Sequence, residues 1–181
     1  MHSATATQSA TQILRDEHRL ILLALVSVET AAARLGGGGT VPDELWASML
    51  GWLRAFADRN HHAKEENALF PALIRAGVPA QGGPIDVMLD EHAEGRTLLH
   101  TMETGAPEQR AAAARRYVGL LRDHIDKENG LLFPLADEVL AEREQAELRR
   151  EFARMDTESG AAASLVEAEG AAACFTAALH V

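Results

Sequence analysis

The segment HHAKEENALFP, residues 61–71, returns as HIDKENGLLFP at residues 124–134. In both copies a histidine precedes a lysine by three residues and a glutamate by four, and both copies end on Leu-Phe-Pro. An Asp-Glu-His triplet precedes each copy, at residues 16–18 and 90–92. The chain is therefore a tandem of two similar halves, and each half carries imidazole and carboxylate groups at a fixed spacing.

This spacing puts the histidine and glutamate of each copy on one side of a helix, because residues four apart are neighbours on a helix surface. His61 pairs with Glu65 in this way, and His124 pairs with Glu128. The latter pair shares its side with an apolar set, Tyr117, Leu120, Leu131 and Leu135. An unpaired buried carboxylate costs several kcal/mol, so two carboxylates in a helical core predict a cation between them.

The composition favours an all-α fold. Apolar residues make up 47% of the 181-residue chain, but aromatic residues make up only 4%, and this balance favours helix over sheet. Glycine and proline cluster at residues 36–39, 77–84 and 105–107, where loops are expected. These breaks predict an up-down four-helix bundle with helices over residues 11–35, 42–76, 84–104 and 107–140.

The remaining segments divide the chain further. We expect a flexible N-terminus, the bundle, an additional amphipathic helix on the outside and an Ala/Gly-rich C-terminal segment, over residues 1–10, 11–140, 141–156 and 157–181. The last segment is predicted to be a weakly held helix or a frayed tail. Thr11 is the expected cap of the first helix, and Pro71 is expected to kink the second helix or remove one backbone hydrogen bond. The third helix is expected to bury Ile85, Met88, Leu89 and Leu99.

The candidate metal ligands come from all four predicted helices: His18, His61, Glu65, His92, His124 and Glu128. His62 and Glu66 compete with His61 and Glu65 for the same role. The gapless repeat aligns His61 with His124 and Glu65 with Glu128, so it favours those two and leaves His62 and Glu66 as the less favoured alternative.

The charge and cysteine content exclude several classes of function. A net charge of −10 offers no basic surface for a nucleic acid or an anionic membrane. The longest apolar stretch, residues 20–26, is too short to span a bilayer, and no signal peptide precedes it, so we expect a cytoplasmic protein. One cysteine cannot build a cysteine-rich metal site, so histidine and carboxylate must hold the metal.

The repeated order of Asp-Glu-His and then His-x-x-x-Glu with Leu-Phe-Pro resembles the hemerythrin-like cation-binding family, also called the His-His-Glu domain, over residues 13–137. Residues 83–88 are similar to the branch linked to nitrosative and oxidative stress and to repair of iron centres. The resemblance implies two iron ions bridged by Glu65 and Glu128, with the four favoured histidines as terminal ligands and manganese or zinc as alternatives. Oxygen carriers of the family place a second histidine one turn from the third-helix histidine, where this chain has Met88 and Arg96.

The function implied is a di-iron protein, a possible oxidoreductase, that binds and reacts with peroxide, nitric oxide or dioxygen under stress. The alternative is a non-catalytic module that binds, senses or stores iron or oxygen. A metal-free helical bundle that acts through its acidic surface is a third possibility. We expect a monomer or homodimer whose partner is a small inorganic molecule.

Overall fold

A computed structural model describes residues 8–159 and 165–179 of the chain. Its α-helices are α1 (Ala10–Gly36), α2 (Asp43–Trp52), α3 (Phe70–Arg75), α4 (Pro84–Thr104), α5 (Pro107–Lys127), α6 (Phe133–Val139), α7 (Glu142–Ser159) and α8 (Leu165–Ala178). Three π-helical segments interrupt them: π1 (Leu53–His62), π2 (Glu65–Leu69) and π3 (Glu128–Leu132). No strand occurs among these residues, so the predicted all-α class is confirmed.

Four long helical runs form the predicted bundle. They are α1, the run from α2 through π1 and π2 to α3, α4, and the run from α5 through π3 to α6. Helices α1 and α4 both pack against α5, and α1 also contacts π1. The expected loops lie close to where glycine and proline cluster, because Gly36 ends α1 and Pro84 and Pro107 open α4 and α5.

The predicted cap of the first helix was wrong by two residues. Ser9 caps α1, since its hydroxyl accepts a hydrogen bond from the backbone N–H of Gln12 at 3.1 Å. The hydroxyl of Thr11 instead donates to Asp137, just beyond the second repeat. Thr11 therefore ties the two halves together.

Each proline of the repeat follows a π-helical turn. The backbone N–H of Phe70 bonds to the carbonyl of Glu65, five residues back, and that of Phe133 bonds to Glu128 in the same way. A proline inside a regular α-helix would clash with the carbonyl four residues before it, and a wider turn moves that carbonyl away. Pro71 has no backbone N–H to donate, as expected, and the structure adds a change of helical winding ahead of the proline.

Two leucines expected to face inward are exposed. Leu131, inside π3, is 60% exposed, because the wider winding rotates it away from the side that it would share with His124 in an α-helix. Leu89 is 39% exposed, because the buried side of α4 runs through Ile85, Met88 and His92 and leaves Leu89 at its edge.

The core has two apolar clusters with a polar layer between them. One cluster contains Leu14, Phe70 and Phe133, and the other contains Ile21 and Phe56. His18 lies between Leu14 and Ile21 along α1, and His61 lies between Phe56 and Phe70 along the second run. The polar layer therefore has an apolar cluster on each side.

The C-terminal part of the chain packs on this core. Helix α7 joins the first cluster through Leu148 and Phe152, while α8 joins the second through Ala172 and Phe175 and contacts α1 and α2. Within the segment over 157–181, residues 157–159 end α7, and residues 165–178 form α8, which packs on the core. Residues 1–7, within the N-terminus expected to be flexible, lie outside the described residues, and the division at residues 140 and 156 stays a prediction. Within the described ranges, no helix has the length and apolarity to cross a membrane.

Candidate metal centre

Seven histidine and glutamate side chains fill the polar layer. Each is at most 4% exposed, and together they are His18, His61, His62, Glu65, His92, His124 and Glu128. They come from α1, π1, π2, α4, α5 and π3, so all four runs of the bundle contribute. The six residues favoured from the sequence are among them, and His62 joins them.

The seven side chains form two groups that share one carboxylate. The three-histidine position consists of His62, His92 and His124 with Glu65, and one ligand atom from each lies within 4.8 Å of the others. The two-histidine position meets the same limit, and its members are His18, His61, Glu65 and Glu128. Glu65 belongs to both groups, as a bridging carboxylate between two metal ions would.

At the centre, a histidine of each half of the chain lies against a glutamate of the other half. His18 of the first half points its Nε2 at Glu128 of the second, 3.1 Å away. His92 of the second half points its Nε2 at Glu65 of the first, 3.5 Å away. Each glutamate also lies beside the histidine of its own copy, at 3.4 Å in the first and 3.3 Å in the second. Neither half alone can assemble either position.

The glutamate of each Asp-Glu-His triplet supports a histidine of the following repeat. Glu17 accepts a hydrogen bond from Nδ1 of His61 at 2.8 Å, and Glu91 accepts one from Nδ1 of His124 at 2.9 Å. A carboxylate on Nδ1 fixes the proton there and leaves the Nε2 lone pair free. In both cases the free nitrogen is the one that faces the centre.

The triplet histidines are supported from the end of each repeat. Glu66 accepts a hydrogen bond from Nδ1 of His92 at 2.7 Å, and at the matching place in the second copy Asn129 pairs with Nδ1 of His18 at 3.0 Å. Glu66, which the sequence offered as an alternative ligand, therefore lies behind His92 and also accepts a hydrogen bond from Arg96 at 2.7 Å.

Unpartnered polar atoms at the centre test whether a metal fits. Among the described residues, neither oxygen of Glu65 or Glu128 has a hydrogen-bond partner, and neither does Nε2 of His18. Nε2 of His92 faces Nε2 of His124 at 3.1 Å, so two acceptor nitrogens meet there unless one of them is protonated. Buried acceptors that face one another without donors are costly, and a cation removes the cost. The residues present fit a metal ion.

The pKa values at the centre are shifted, because its acidic and basic groups are buried close together. Burial raises the pKa of Glu65 to about 8, and the nearby Glu128 adds to the effect. Burial alone would lower the pKa of His92, but contacts with Glu65 and Glu66 outweigh it and raise the pKa to about 9. Burial lowers the pKa of His61 and His62 well below its usual range. Both rings are therefore neutral, as metal ligands must be.

His61 and His62 both lie in the polar layer, although the sequence-based prediction treats them as alternatives for one role. Adjacent residues of an α-helix point about 100° apart. Both lie at the end of π1, whose wider winding brings neighbours closer in angle, and both are buried in the centre. The ring of His62 stacks on His92 at 3.9 Å between centroids. His62 thus places a fifth imidazole beside the third-helix histidine, where Met88 and Arg96 supply none.

Aromatic rings close one end of the centre. Phe133 stacks on His18 with centroids 5.3 Å apart, and Phe70 stacks on His92 at 6.0 Å. Each Leu-Phe-Pro segment therefore covers the triplet histidine of the other half. Tyr117 is buried, and its hydroxyl has no partner among the described residues.

Curated proteins and one family model resemble the chain in sequence. Proteins named "Iron-sulfur cluster repair protein YtfE" from Escherichia coli O139:H28, E. coli K12 and Shigella boydii serotype 18 are each 40% identical to it over 90 residues. The match covers 42% of this chain, and the chain spans 40% of the length of these curated relatives. No solved structure matches the chain at a significant level. The model of the hemerythrin HHE cation-binding domain matches residues 9–136, which include the whole ligand cluster, and the chain belongs to that family.

Proposed function

We propose that the protein is a non-haem di-iron protein that binds and reacts with a small oxidant or gas, namely peroxide, nitric oxide or dioxygen, in defence against oxidative or nitrosative stress. The observation that carries the proposal is the convergence of five imidazoles and two carboxylates, in which both oxygens of Glu65 and Glu128 and Nε2 of His18 have no hydrogen-bond partner among the described residues. Imidazole with carboxylate suits iron or manganese better than thiophilic metals.

In this proposal Glu65 would be a ligand of both metal ions, because it belongs to both groups. His62, His92 and His124 would hold one ion, while His18 and His61 would hold the other together with Glu128. Each ion would have four ligand residues, three imidazoles and one carboxylate at one position and two of each at the other, which would leave coordination positions of octahedral iron open to an outside molecule. Bound iron would supply Lewis acidity and one-electron redox chemistry at that place.

The chain's own residues limit what can reach the centre. Every proposed ligand is at most 4% exposed, and Phe70 and Phe133 cover the triplet histidines. A substrate must therefore be of diatomic or similar size. The Glu91 carboxylate, whose side chain is 16% exposed, links His124 to Lys127, whose side chain is 41% exposed, and this edge can pass protons between solvent and the centre.

A stress setting is supported by the relatives, which are named for iron–sulfur cluster repair. This chain matches 40% of the length of those relatives. Repair of iron–sulfur clusters is therefore a more specific proposal, separate from reactivity toward oxidants or gases. A repair role would require iron to leave the centre for another protein. That requirement gives it a separate test, the transfer of labelled iron from this protein to an apo iron–sulfur protein.

The central experiment is metal analysis of protein made in iron-replete medium, followed by rapid mixing with peroxide, nitric oxide or dioxygen. We expect about two iron ions per chain, one for each group of ligands, and a change in the visible spectrum with at least one of the three molecules. Protein without bound metal would overturn the proposal. Bound iron that is inert to all three molecules would overturn the reactivity and leave the metal site standing.

The enclosed site also favours a second candidate, a non-catalytic module that binds or senses iron or a small gas. Seven buried ligands from every run of the bundle make metal occupancy a condition for good packing. Occupancy would then change stability without any turnover. Turnover separates the two candidates, because a sensor gives a stoichiometric spectral or stability change and no accumulating product.

A further inference from the structure

The two lysines of the repeat lie in different environments. Lys64 is fully buried, and its ammonium group contacts Glu17 and Oδ1 of Asp156, the latter at 2.6 Å. The side chain of Lys127 is 41% exposed and, within the described ranges, it pairs with Glu91 alone. Water can complete the solvation of Lys127, but Lys64 depends on the second carboxylate that α7 supplies.

Helix α7 encloses Lys64 from outside the bundle. The Lys64 ammonium lies 5.9 Å from the ring centre of Phe152, within range of a cation–π contact. Asn60 lies between the charges. With its amide nitrogen turned toward Asp156 it donates at 3.0 Å, and its oxygen then accepts from Lys64 at 3.3 Å. Asn60 directly precedes His61, so this network reaches the metal centre by two routes.

The first route is a chain of direct contacts. Asp156 holds Lys64, Lys64 holds one oxygen of Glu17, and the other oxygen of Glu17 accepts from Nδ1 of His61 at 2.8 Å. All links except Asp156 are at most 4% exposed. Removing the charge on Asp156 would leave a buried ammonium with one counter-charge, and Lys64 would then move toward solvent or pull Glu17 away from His61.

We propose that α7 is part of the metal centre and that Asp156 is a positioning residue that fixes His61 through Lys64 and Glu17. This inference rests on the proposed function, because it assumes that His61 binds a metal ion. The two metal positions then differ in the elements that hold their histidines in place. The two-histidine position is held by a helix outside the four-helix bundle, and the three-histidine position is held by the solvent-facing pair of Glu91 and Lys127.

The test compares Asp156→Asn with Glu158→Gln, a matched change on α7 at a side chain that is 61% exposed and paired with Arg154. Both variants and the unchanged protein are loaded with iron(II) without oxygen, and iron loss to a chelator is followed in time. Loss of support behind a ligating histidine typically weakens metal binding by about 10–100-fold. Because Asp156 acts through Lys64 and Glu17, we expect Asp156→Asn to release one of its two iron ions faster by at most about that factor, and Glu158→Gln to match the unchanged protein.

A second readout separates positioning from simple attachment of α7. If Asp156 positions His61, Asp156→Asn shrinks the difference between the melting temperatures of the metal-bound and metal-free forms. Equal lowering of both melting temperatures, with unchanged iron loss, would overturn the inference. If Asp156→Asn does not fold, the double variant Lys64→Met with Asp156→Leu replaces Lys64 and Asp156 by apolar side chains, and Glu17 then keeps His61 as its partner. Slow iron loss from that variant would overturn the inference as well. Unchanged protein that binds no metal overturns the proposed function, and this inference with it.

Discussion

The rings of His62 and His92 stack with their centroids 3.9 Å apart and their planes 18° from parallel. The second repeat has Ile125 at the place of His62, and Ile125 is also buried. The pair thus breaks the symmetry of the two halves, and the extra imidazole adds a nitrogen at the three-histidine position alone.

Replacing His62 should weaken one metal position and spare the other. We expect His62→Ile, which copies the second repeat, to lower metal affinity at the three-histidine position by at least about 10-fold. Competition with a chelator of known affinity measures the change, and circular dichroism checks the fold. The control is His100→Ala, an exposed histidine on the same helix as His92. Unchanged affinity in His62→Ile would remove this residue from the ligand set.

Patterns local in sequence predicted most of the fold. Pro84 and Gly105 bracket α4 as expected, because proline is suited to the first turn of a helix and glycine tends to follow the last. The repeat indicated six of the seven side chains that the structure brings together, and it left His62 as the less favoured alternative. These signals involve residues within a few turns of one another, and they need no knowledge of tertiary structure.

The features that the sequence did not predict depend on the number of residues per helical turn and on contacts between residues far apart in the chain. The π-helical segments π1 and π3 change the angles that an α-helix would give, which is why His62 is buried and Leu131 is exposed. The contact between Lys64 and Asp156 joins residues far apart in the chain, and nothing in the periodicity of α7 marks Asp156 among its many charges. Only the packed structure reveals such pairs.

Glu65 should have opposite effects on the metal-free and metal-bound forms. Its raised pKa, about 8, means that the metal-free protein already keeps this carboxyl protonated at pH 7. Glu65→Gln imitates that state, so we expect the metal-free variant to be at least as stable as the unchanged protein. The variant should nevertheless lose most of its bound iron, because a neutral amide is a poor bridge between two cations.

Thermal unfolding with and without metal, combined with iron analysis, checks both halves of this prediction. His18→Ala is the comparison, since it removes one terminal nitrogen and should retain part of the iron. Iron content in Glu65→Gln equal to that of the unchanged protein would contradict the bridging role. A large fall in the stability of the metal-free variant would contradict the protonated state.

The two triplet glutamates should differ in importance although they occupy matching places. Glu17 is 2% exposed and supports both His61 and Lys64, whereas the side chain of Glu91 is 16% exposed and water can partly replace it. We expect Glu17→Gln to weaken metal binding by about 10–100-fold and Glu91→Gln to weaken it less. Metal titrations of the two variants under one set of conditions provide the measurement. Equal effects would mean that solvent access does not compensate at the Glu91 side.

Replacing Tyr117 by phenylalanine, which removes its hydroxyl, should raise the stability of the metal-free protein. A buried hydroxyl that lacks a partner costs roughly 1–3 kcal/mol, and the ring can keep its packing in Tyr117→Phe. We expect the metal-free variant to gain about 1 kcal/mol, which for a chain of this length raises the melting temperature by about 2–4 °C. Calorimetry of both proteins at the same pH tests this. A clear loss of stability would show that the hydroxyl has a bonding partner in solution.

Metal binding should release protons and strengthen as pH rises from 7 to 9. In the metal-free protein the pKa of His92 is raised from 6.5 to about 9 and that of Glu65 from 4.5 to about 8, so both groups favour their protonated forms at neutral pH. A group whose pKa is higher in the folded state than in the unfolded state stabilises the metal-free fold at pH values below its unfolded-state pKa. This stabilisation is lost as the pH rises through its folded-state pKa. A metal ion needs both groups deprotonated, so it competes with protons, and acidification must weaken binding and lower the stability of the metal-bound form.

Because His92 and Glu65 contact each other, we expect the release of about one to two protons per chain at pH 7. Calorimetric titration in two buffers of different ionisation enthalpy counts those protons, and identical heats in the two buffers would show that the metal-free centre holds none.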